Sequence, residues 1–205
     1  GNGVHSYLEI YLPEMYHESL SLHTTDGKMV SAAALTLDRF RADTTNGELW
    51  VSDLSADQIA LKSMSGKLTA KNLSARVCMV ETTNADTFLE AVTGLIEYKS
   101  KGGDLTVTRG VGQGNFQVTG DGRLQITFAE VTGDISAQTK NGKITLALPD
   151  SLSFALTAAT HNGSIQTSFS EGLSLTDKTA SGTIGRNADV HIGLESKNGD
   201  INITR

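Results

Sequence analysis

The chain has 205 residues and a formal net charge of −6, with 21 Gly, 2 Pro, 1 Cys, 1 Trp, 4 Tyr and 6 Phe. It also holds 24 Thr and 19 Ser. A single cysteine excludes an intramolecular disulfide, the negative charge argues against a nucleic-acid or anionic-lipid surface, and no run reaches the roughly 18 apolar residues of a membrane helix. The length allows one large domain or two small ones, with ample material for a core. No secretory leader pattern opens at Gly1, so the terminus does not set the compartment.

Residues 1–19 read as an N-terminal strand and cap region, and residues 20–205 as repeats of a single domain. Ten anchors appear in chain order: Gly27, Gly47, Gly66, Ala85, Gly103, Gly122, Gly142, Gly163, Gly182 and Gly199. Their period is about nineteen residues, within the range of solenoids and arrays. Three residues before each anchor stands a hydroxyl, from Thr24, Thr44 and Ser63 through Thr119, Thr139, Thr160, Thr179 and Ser196. One before it stands a turn residue, as in Asn46, Asn141, Asn162 and Asn198. Two after it the residue is apolar in nine of ten repeats, Thr87 being the exception, and Ile184 and Ile201 close the series. Seven before it lies a second apolar column with Leu20, Phe40, Ile59, Cys78, Ile96, Ile135, Leu156, Leu175 and Ile192. Near Gly122 this column slips and offers Phe116 and Val118.

Apolar positions two apart are a strand signature, and Asn-Gly between strands allows positive φ and a sharp corner. Each repeat is then strand, tight corner, strand, looser corner, with strands of about five residues. Hairpins fit the apolar columns equally well. The charges favour stacking: Asp43, Lys62, Glu81 and Lys99 alternate in sign, as do Lys28, Glu48, Lys67 and Asp86. Opposite charges on neighbouring strands attract only if the repeats lie on one another. The expectation is an all-β, single-stranded β-solenoid of about ten turns in chain order, resembling a parallel β-helix. Its hydroxyl column points inward and bonds backbone groups left open at the corners. The last turn, Ile201–Arg205, then ends the rod as an open edge, blunted by Lys197, Asp200 and Arg205, and invites self-association through the solenoid ends.

The run Ile144-Thr-Leu-Ala-Leu-Pro149, followed by Leu156-Thr-Ala-Ala-Thr-His-Asn-Gly-Ser-Ile165, resembles a bacterial adhesin-type domain family of unknown function. Leu8-Glu-Ile-Tyr-Leu-Pro13 followed by Leu20-Ser-Leu-His-Thr-Thr-Asp-Gly27 repeats the phrase. The resemblance spans nearly the whole chain. It implies a β-solenoid with a bacterial cell-surface or envelope association, and it supplies no catalytic residue. Some relatives point instead to a membrane-proximal regulatory scaffold in an envelope-stress response.

Chemistry-bearing motifs are sparse. His5, His17, His23, His161 and His191 show no metal-ligand spacing. Cys78 falls in an apolar column and reads as a small buried hydrophobe. The glycine-rich Gly110-Val-Gly-Gln-Gly114 precedes no helix, so it is a loose corner or a detour beside Tyr98 and not a phosphate cradle. Gly102-Gly-Asp-Leu-Thr-Val107 lacks the nine-residue period of a calcium-binding β-roll. No Gly-x-Ser-x-Gly elbow is present. Corners of nearly constant length leave little to build a cleft, so the expectation is a non-enzymatic scaffold with no catalytic residue, metal or cofactor. A carbohydrate-active β-helix enzyme is the weaker alternative.

The column three after each anchor faces outward. Its first half carries Val30, Trp50 and Phe88, and its second half is polar. An apolar outer strip is covered or used. Either residues 4–16, with Tyr7, Leu8, Ile10, Tyr11 and Tyr16, fold back over it, or a partner does. Val30, Trp50 and Phe88 are therefore the candidate surface for a macromolecule, protein or glycan.

Overall fold

The computed structural model describes residues 8–205. Fifteen strands follow in chain order: β1 Ser19–Thr24, β2 Met29–Ser31, β3 Leu35–Thr44, β4 Leu49–Ser63, β5 Leu68–Thr82, β6 Thr87–Ser100, β7 Leu105–Val118, β8 Leu124–Thr139, β9 Ile144–Ala147, β10 Phe154–Thr160, β11 Ile165–Thr167, β12 Leu173–Leu175, β13 Thr179–Ile184, β14 Val190–Ser196 and β15 Ile201–Thr204. The described residues hold no helix. Parallel pairing runs from β1 through β3, β4, β5, β6 and β7 to β8, so the stack is a β-solenoid, of about seven turns. The charge columns meet as stacking requires, with Lys62 3.4 Å from Glu81 and Lys28 3.3 Å from Glu48. These pairs are exposed, so they fix register more than they stabilise.

The core is a set of one-residue-per-turn ladders. Leu49, Leu68, Thr87, Leu105, Leu124 and Ile144 lie over one another, as do Phe40, Ile59 and Cys78, and all are buried. Along β4 the buried positions, Ser52 at the first bend apart, are Leu49, Val51, Leu54, Ala56, Ile59, Leu61 and Ser63. Steps of two become steps of three at Asp53 and Asp57, and the pairing with β5 skips both residues. Each extra residue marks a bend. At the first bend Asp53, Asn72, Ala91 and Arg109 take φ of 58°, 53°, 54° and 53°. The expected pair of short strands per repeat is thus one strand of 14 to 16 residues in β4 to β8, bent inside itself. Asx side chains tolerate the left-handed region, and Asn72 Nδ2 donates to Asp53 Oδ1 at 3.1 Å.

The Asn-Gly corners work differently from expectation. Gly47 and Gly199 are not at positive φ. A Cβ on Gly47 would stand 2.0 Å from the Gly27 carbonyl oxygen, and one on Gly199 1.9 Å from that of Gly142. Close approach of successive corners, not backbone freedom, excludes a side chain. The hydroxyl rank does close these corners from inside. Thr44 donates to the Gly47 carbonyl at 3.0 Å, Thr139 to that of Gly122 at 3.1 Å and Ser196 to that of Gly142 at 3.0 Å. Thr119 and Thr179 are exposed and leave the rank. Val118 takes the inward place between Ser100 and Thr139, which is the slip foreseen near Gly122. There Gly114 pairs with Ile96, and a Cβ on it would strike the Phe116 ring at 2.4 Å. The glycine-rich stretch therefore makes room for Phe116, and its Gly110 for Phe128, within the core.

The last third of the chain departs from chain order. After β9, the next rung in space is not β10–β11 but β14–β15, which pairs with β8 and β9 on one side and with β10 and β11 on the other. The Asn ladder shows the same order: Asn162 donates to Asn198 at 2.6 Å, Asn198 donates to Asn141, and Asn141 donates to Asp121 at 2.6 Å. Gly182 is no stacked corner. It lies in β13, which pairs antiparallel with β10 and with β12, so the hairpin reading holds at this one place. Leu175 and Ile184 accordingly leave the columns assigned to them: Leu175 is 51% exposed and Ile184 pairs with Phe154. About seven turns therefore follow in chain order, where the sequence predicts about ten.

The C-terminal residues are consequently not an open edge. Ile201 and Ile203 are buried between Ile144 and Leu146 on one side and Ile165 and Thr167 on the other. Asp200 accepts from the Ser164 amide at 2.9 Å, and the Arg205 guanidinium lies 5.1 Å over the Phe169 ring. The stack is closed instead by the β12–β13 hairpin and by Lys178, whose ammonium donates to the carbonyl of Gly163, the outermost corner. The β15 strand, Ile201–Thr204, is thus paired on both sides and offers no open strand edge.

Candidate functional site

The outer strip is set by period-two alternation. Leu49 and Val51 point into the core, so Trp50 between them points out. Register then places Val30 beside Trp50, Trp50 beside Thr69, Thr69 beside Phe88 and Phe88 beside Thr106. Farther along, the row continues through Gln125, Thr145, Asn202 and Gln166. The structure thus brings the three candidate residues into one row, with Trp50 and Phe88 two strands apart. That separation is about 9.6 Å.

The strip is partly open: Val30 is 57% exposed and Phe88 39%, Trp50 is half-buried, and Thr69 between the two rings is buried. Among the described residues nothing N-terminal covers it: Leu8, Ile10, Tyr11 and Met15 are themselves exposed, while Tyr16 packs on the end of the core and donates to the Ser19 carbonyl at 2.7 Å. The fold-back expected of residues 4–16 is therefore not found for 8–16, and Tyr7 lies outside the described residues. Lysines from the same face lean on the rings instead. Lys67 Nζ is 4.6 Å from the centre of the Phe88 ring, and Lys71 Nζ is 5.4 Å from that of Trp50. Cation–π contacts at such exposed sites contribute about 0.5–1 kcal/mol, so a ligand displaces them readily.

Between the two rings lies a shallow cavity of about 290 Å³, lined by Trp50, Phe88, Thr69, Lys71, Glu90 and Thr106 among others. A smaller one of about 80 Å³ adjoins it at Lys28, Glu48 and Trp50. Glu90 anchors the charged rim. Lys71 stands 3.2 Å from it, and Arg109 also pairs with it. The Lys71 ammonium first, and the Arg109 guanidinium after it, hold the Glu90 carboxyl below the usual carboxylate range. Lysine and carboxylate alternate along this rim, so the strip offers donors and acceptors beside two aromatic platforms. The sequence shows the platforms. It hides the lysine contacts, because those depend on side-chain lean across strands.

Elsewhere the chemistry-bearing residues stay apart. Cys78 is fully buried, and burial pushes its thiol up to about 12, so no thiolate is present at neutral pH. Among the described residues no group of three His, Cys, Asp or Glu is placed to hold a metal ion. No helix among them is long and apolar enough to cross a membrane. Asp57 is held low by the Arg76 guanidinium, which donates to it at 3.0 Å and so ties β4 to β5 at the second bend.

The family model described as Toastrack DUF4097 matches residues 1–204. No curated protein and no solved structure matches the chain. A match over nearly every residue, on a stack of parallel strands with a repeat near nineteen residues, places the chain in the Toastrack DUF4097 family, a β-solenoid of unknown function.

Proposed function

We propose that this protein is a non-enzymatic scaffold of the bacterial envelope or cell surface, adhesin-like in use, that docks a macromolecular partner on the strip Val30–Trp50–Phe88. The observation that carries this is the open row of apolar side chains on an otherwise polar sheet face. Large outward aromatics covered by no more than two mobile lysine side chains mark interaction surfaces. The shallow cavity between Trp50 and Phe88 favours docking along a face over enclosure of a small substrate. Short corners, and the absence of long loops among the described rungs, support a scaffold over an enzyme. The envelope assignment draws on the resemblance of the Leu-Pro and Thr-x-Asn-Gly phrases to surface domains.

The test is a binding assay of the wild type against the double variant Trp50→Ala/Phe88→Ala. Purified bacterial cell-wall sacculi and immobilised fibronectin and collagen serve as targets. Wild type should bind at least one of them, and the double variant, still folded by circular dichroism, should not. Equal behaviour of the two proteins on all targets contradicts the proposal.

A further inference from the structure

We infer that the occupant of this strip is a flat, uncharged, β-1,4-linked polysaccharide lying along the solenoid axis. The inference rests on the reading of the strip as a docking surface and adds the chemical class of the ligand. A ligand on this row crosses the strands and meets a new rung every 4.8 Å or so. That step is close to the length of one pyranose unit. In a β-1,4-linked ribbon, alternate sugars are turned over, so every second unit presents the same face downward. Trp50 and Phe88 are also every second rung, with Thr69 between them. Two like faces then stack on the two rings, and the intervening sugar lies over Thr69.

An extended peptide has a different step. Its same-side residues recur about every 6.7 Å, so along this row it falls out of register after one rung. Charge also selects. Lys28, Lys67, Lys71 and Arg109 stand around Glu48 and Glu90 at the two cavities, and three of these four cations are already paired with the two carboxylates, so Lys67 alone lacks a carboxylate partner there. A rim whose charges are mostly paired with one another offers donors and acceptors to a hydroxyl-rich neutral chain and little unpaired charge to a polyanion or a polycation. The hydroxyl of Thr106 extends the row past Phe88, that of Thr108 lies beside it opposite Glu90, and both can accept from or donate to sugar hydroxyls. Lys67 and Lys71, resting on the ring faces without ligand, swing off to the rim when a sugar takes their place.

Trp50 is the only tryptophan, so its fluorescence reports this site alone. The full chain is titrated with cellohexaose, chitohexaose and, as a shape control, α-1,4-linked maltohexaose. At least one β-1,4 hexasaccharide should give a saturable change in emission, and maltohexaose none. Phe88→Ala keeps the reporter and should weaken the response about tenfold or more, since it removes the second platform. No saturable change with either β-1,4 hexasaccharide at millimolar concentration overturns the inference. So does an equal response to maltohexaose, or a response that survives Phe88→Ala unchanged. If the hexasaccharides fail while fibronectin or collagen still binds in a Trp50- and Phe88-dependent way, the strip docks a protein and only the glycan assignment falls. If neither binds, both readings fall.

Discussion

From Phe40 to Thr139 every rung rests on the rung that precedes it in sequence, whereas beyond Ile144 the rungs are shuffled, with β14–β15 seated between β8–β9 and β10–β11. Both regions use the same phrase of hydroxyl, Asn, Gly and aliphatic residue. In the first region partners lie 19 residues apart, as in Arg76 and Asp57. In the second they lie 57 apart, as in Asn198 and Asn141, or 36, as in Asn162 and Asn198. The difference teaches what the repeat encodes. It specifies how one rung sits on another, through a Gly-to-carbonyl approach and a bond from Asn to Asp or Asn, and contacts of this kind occur in both regions. It does not specify which rung comes next. The connections decide that: the break at Pro149 after β9, and the β12–β13 hairpin that turns the chain back.

The two regions also divide the work. The in-order half carries the open aromatic strip. The shuffled half has a polar outer row and a built end, with Phe169 packed edge-on at 5.2 Å from Phe154 and Lys178 on the last open corner. In that half β14–β15 is the parallel neighbour of β10–β11, and the other neighbour of β10 is the antiparallel β13.

The largest expected effect breaks this closure. Truncation after Asn187 removes the buried Ile192, Leu194, Ile201 and Ile203 and bares facing strand edges. Each such side chain contributes about 1.5–3 kcal/mol. Their sum rivals the whole stability of a domain, about 5–15 kcal/mol. The truncated chain should lose its cooperative thermal transition by circular dichroism, whereas Leu22→Ala, at the half-buried opposite end, should lower the midpoint by only a few degrees. A truncated chain that melts like the full one would contradict the shuffled order.

A smaller effect compares corners across the two regions. Gly47→Ala and Gly199→Ala each push a methyl into a carbonyl of the neighbouring rung and should cost about 1–3 kcal/mol in chemical denaturation. Gly193→Ala, in β14 with open space around the added methyl, should be close to neutral. Similar losses at Gly47 and Gly199 show that shuffled rungs pack as the in-order rungs do. A neutral Gly199→Ala would show that its corner does not abut Gly142.

Much of the first region is legible in the sequence, and less of the second. The apolar columns, the inward hydroxyls and the outward Trp50 and Phe88 follow from period and anchor alone. The bends at Asp53 and Asp57 do not, since a left-handed Asp, Asn, Ala or Arg leaves no common residue type in its column. Rung order is hidden for the reason given above: Asn162-Gly163 and Asn198-Gly199 carry the same signals and fit either neighbour. Gly182 follows Ser181 and precedes Ile184 like any other anchor, yet it lies in an antiparallel strand. Of the rim around Glu90, Lys71 shares its column five residues after the anchor and pairs with it in register, whereas Arg109 stands one residue out of that column, at the left-handed bend.

The smallest effect lies at the junction of shuffled rungs. The Ser164 amide and hydroxyl both donate to Asp200, and they hold its carboxyl below the usual Asp value. A carboxyl lowered in the folded state contributes stability that is complete above its unfolded value and is lost as pH falls through the lowered one. The Ser164 amide resonance should therefore titrate with a midpoint below the usual Asp range, and Asp200→Ala should abolish the titration. A midpoint at or above the usual value would mean that Asp200 does not face Ser164.

Rung order itself is read most directly by cysteine pairs on the outer row. Thr145 and Asn202 are neighbours in the shuffled order, about 4.8 Å apart, within the Cα separation a disulfide bridges. Thr145 and Gln166 are then two strands apart, about 9.6 Å and beyond that reach. The native Cys78 is buried with its thiol raised to about 12, so it does not compete. Mild oxidation of the folded protein, followed by peptide mapping, should show a disulfide in Thr145→Cys/Asn202→Cys and none in Thr145→Cys/Gln166→Cys. A disulfide in the second pair and none in the first would restore a stack in chain order and contradict the closure described for this solenoid.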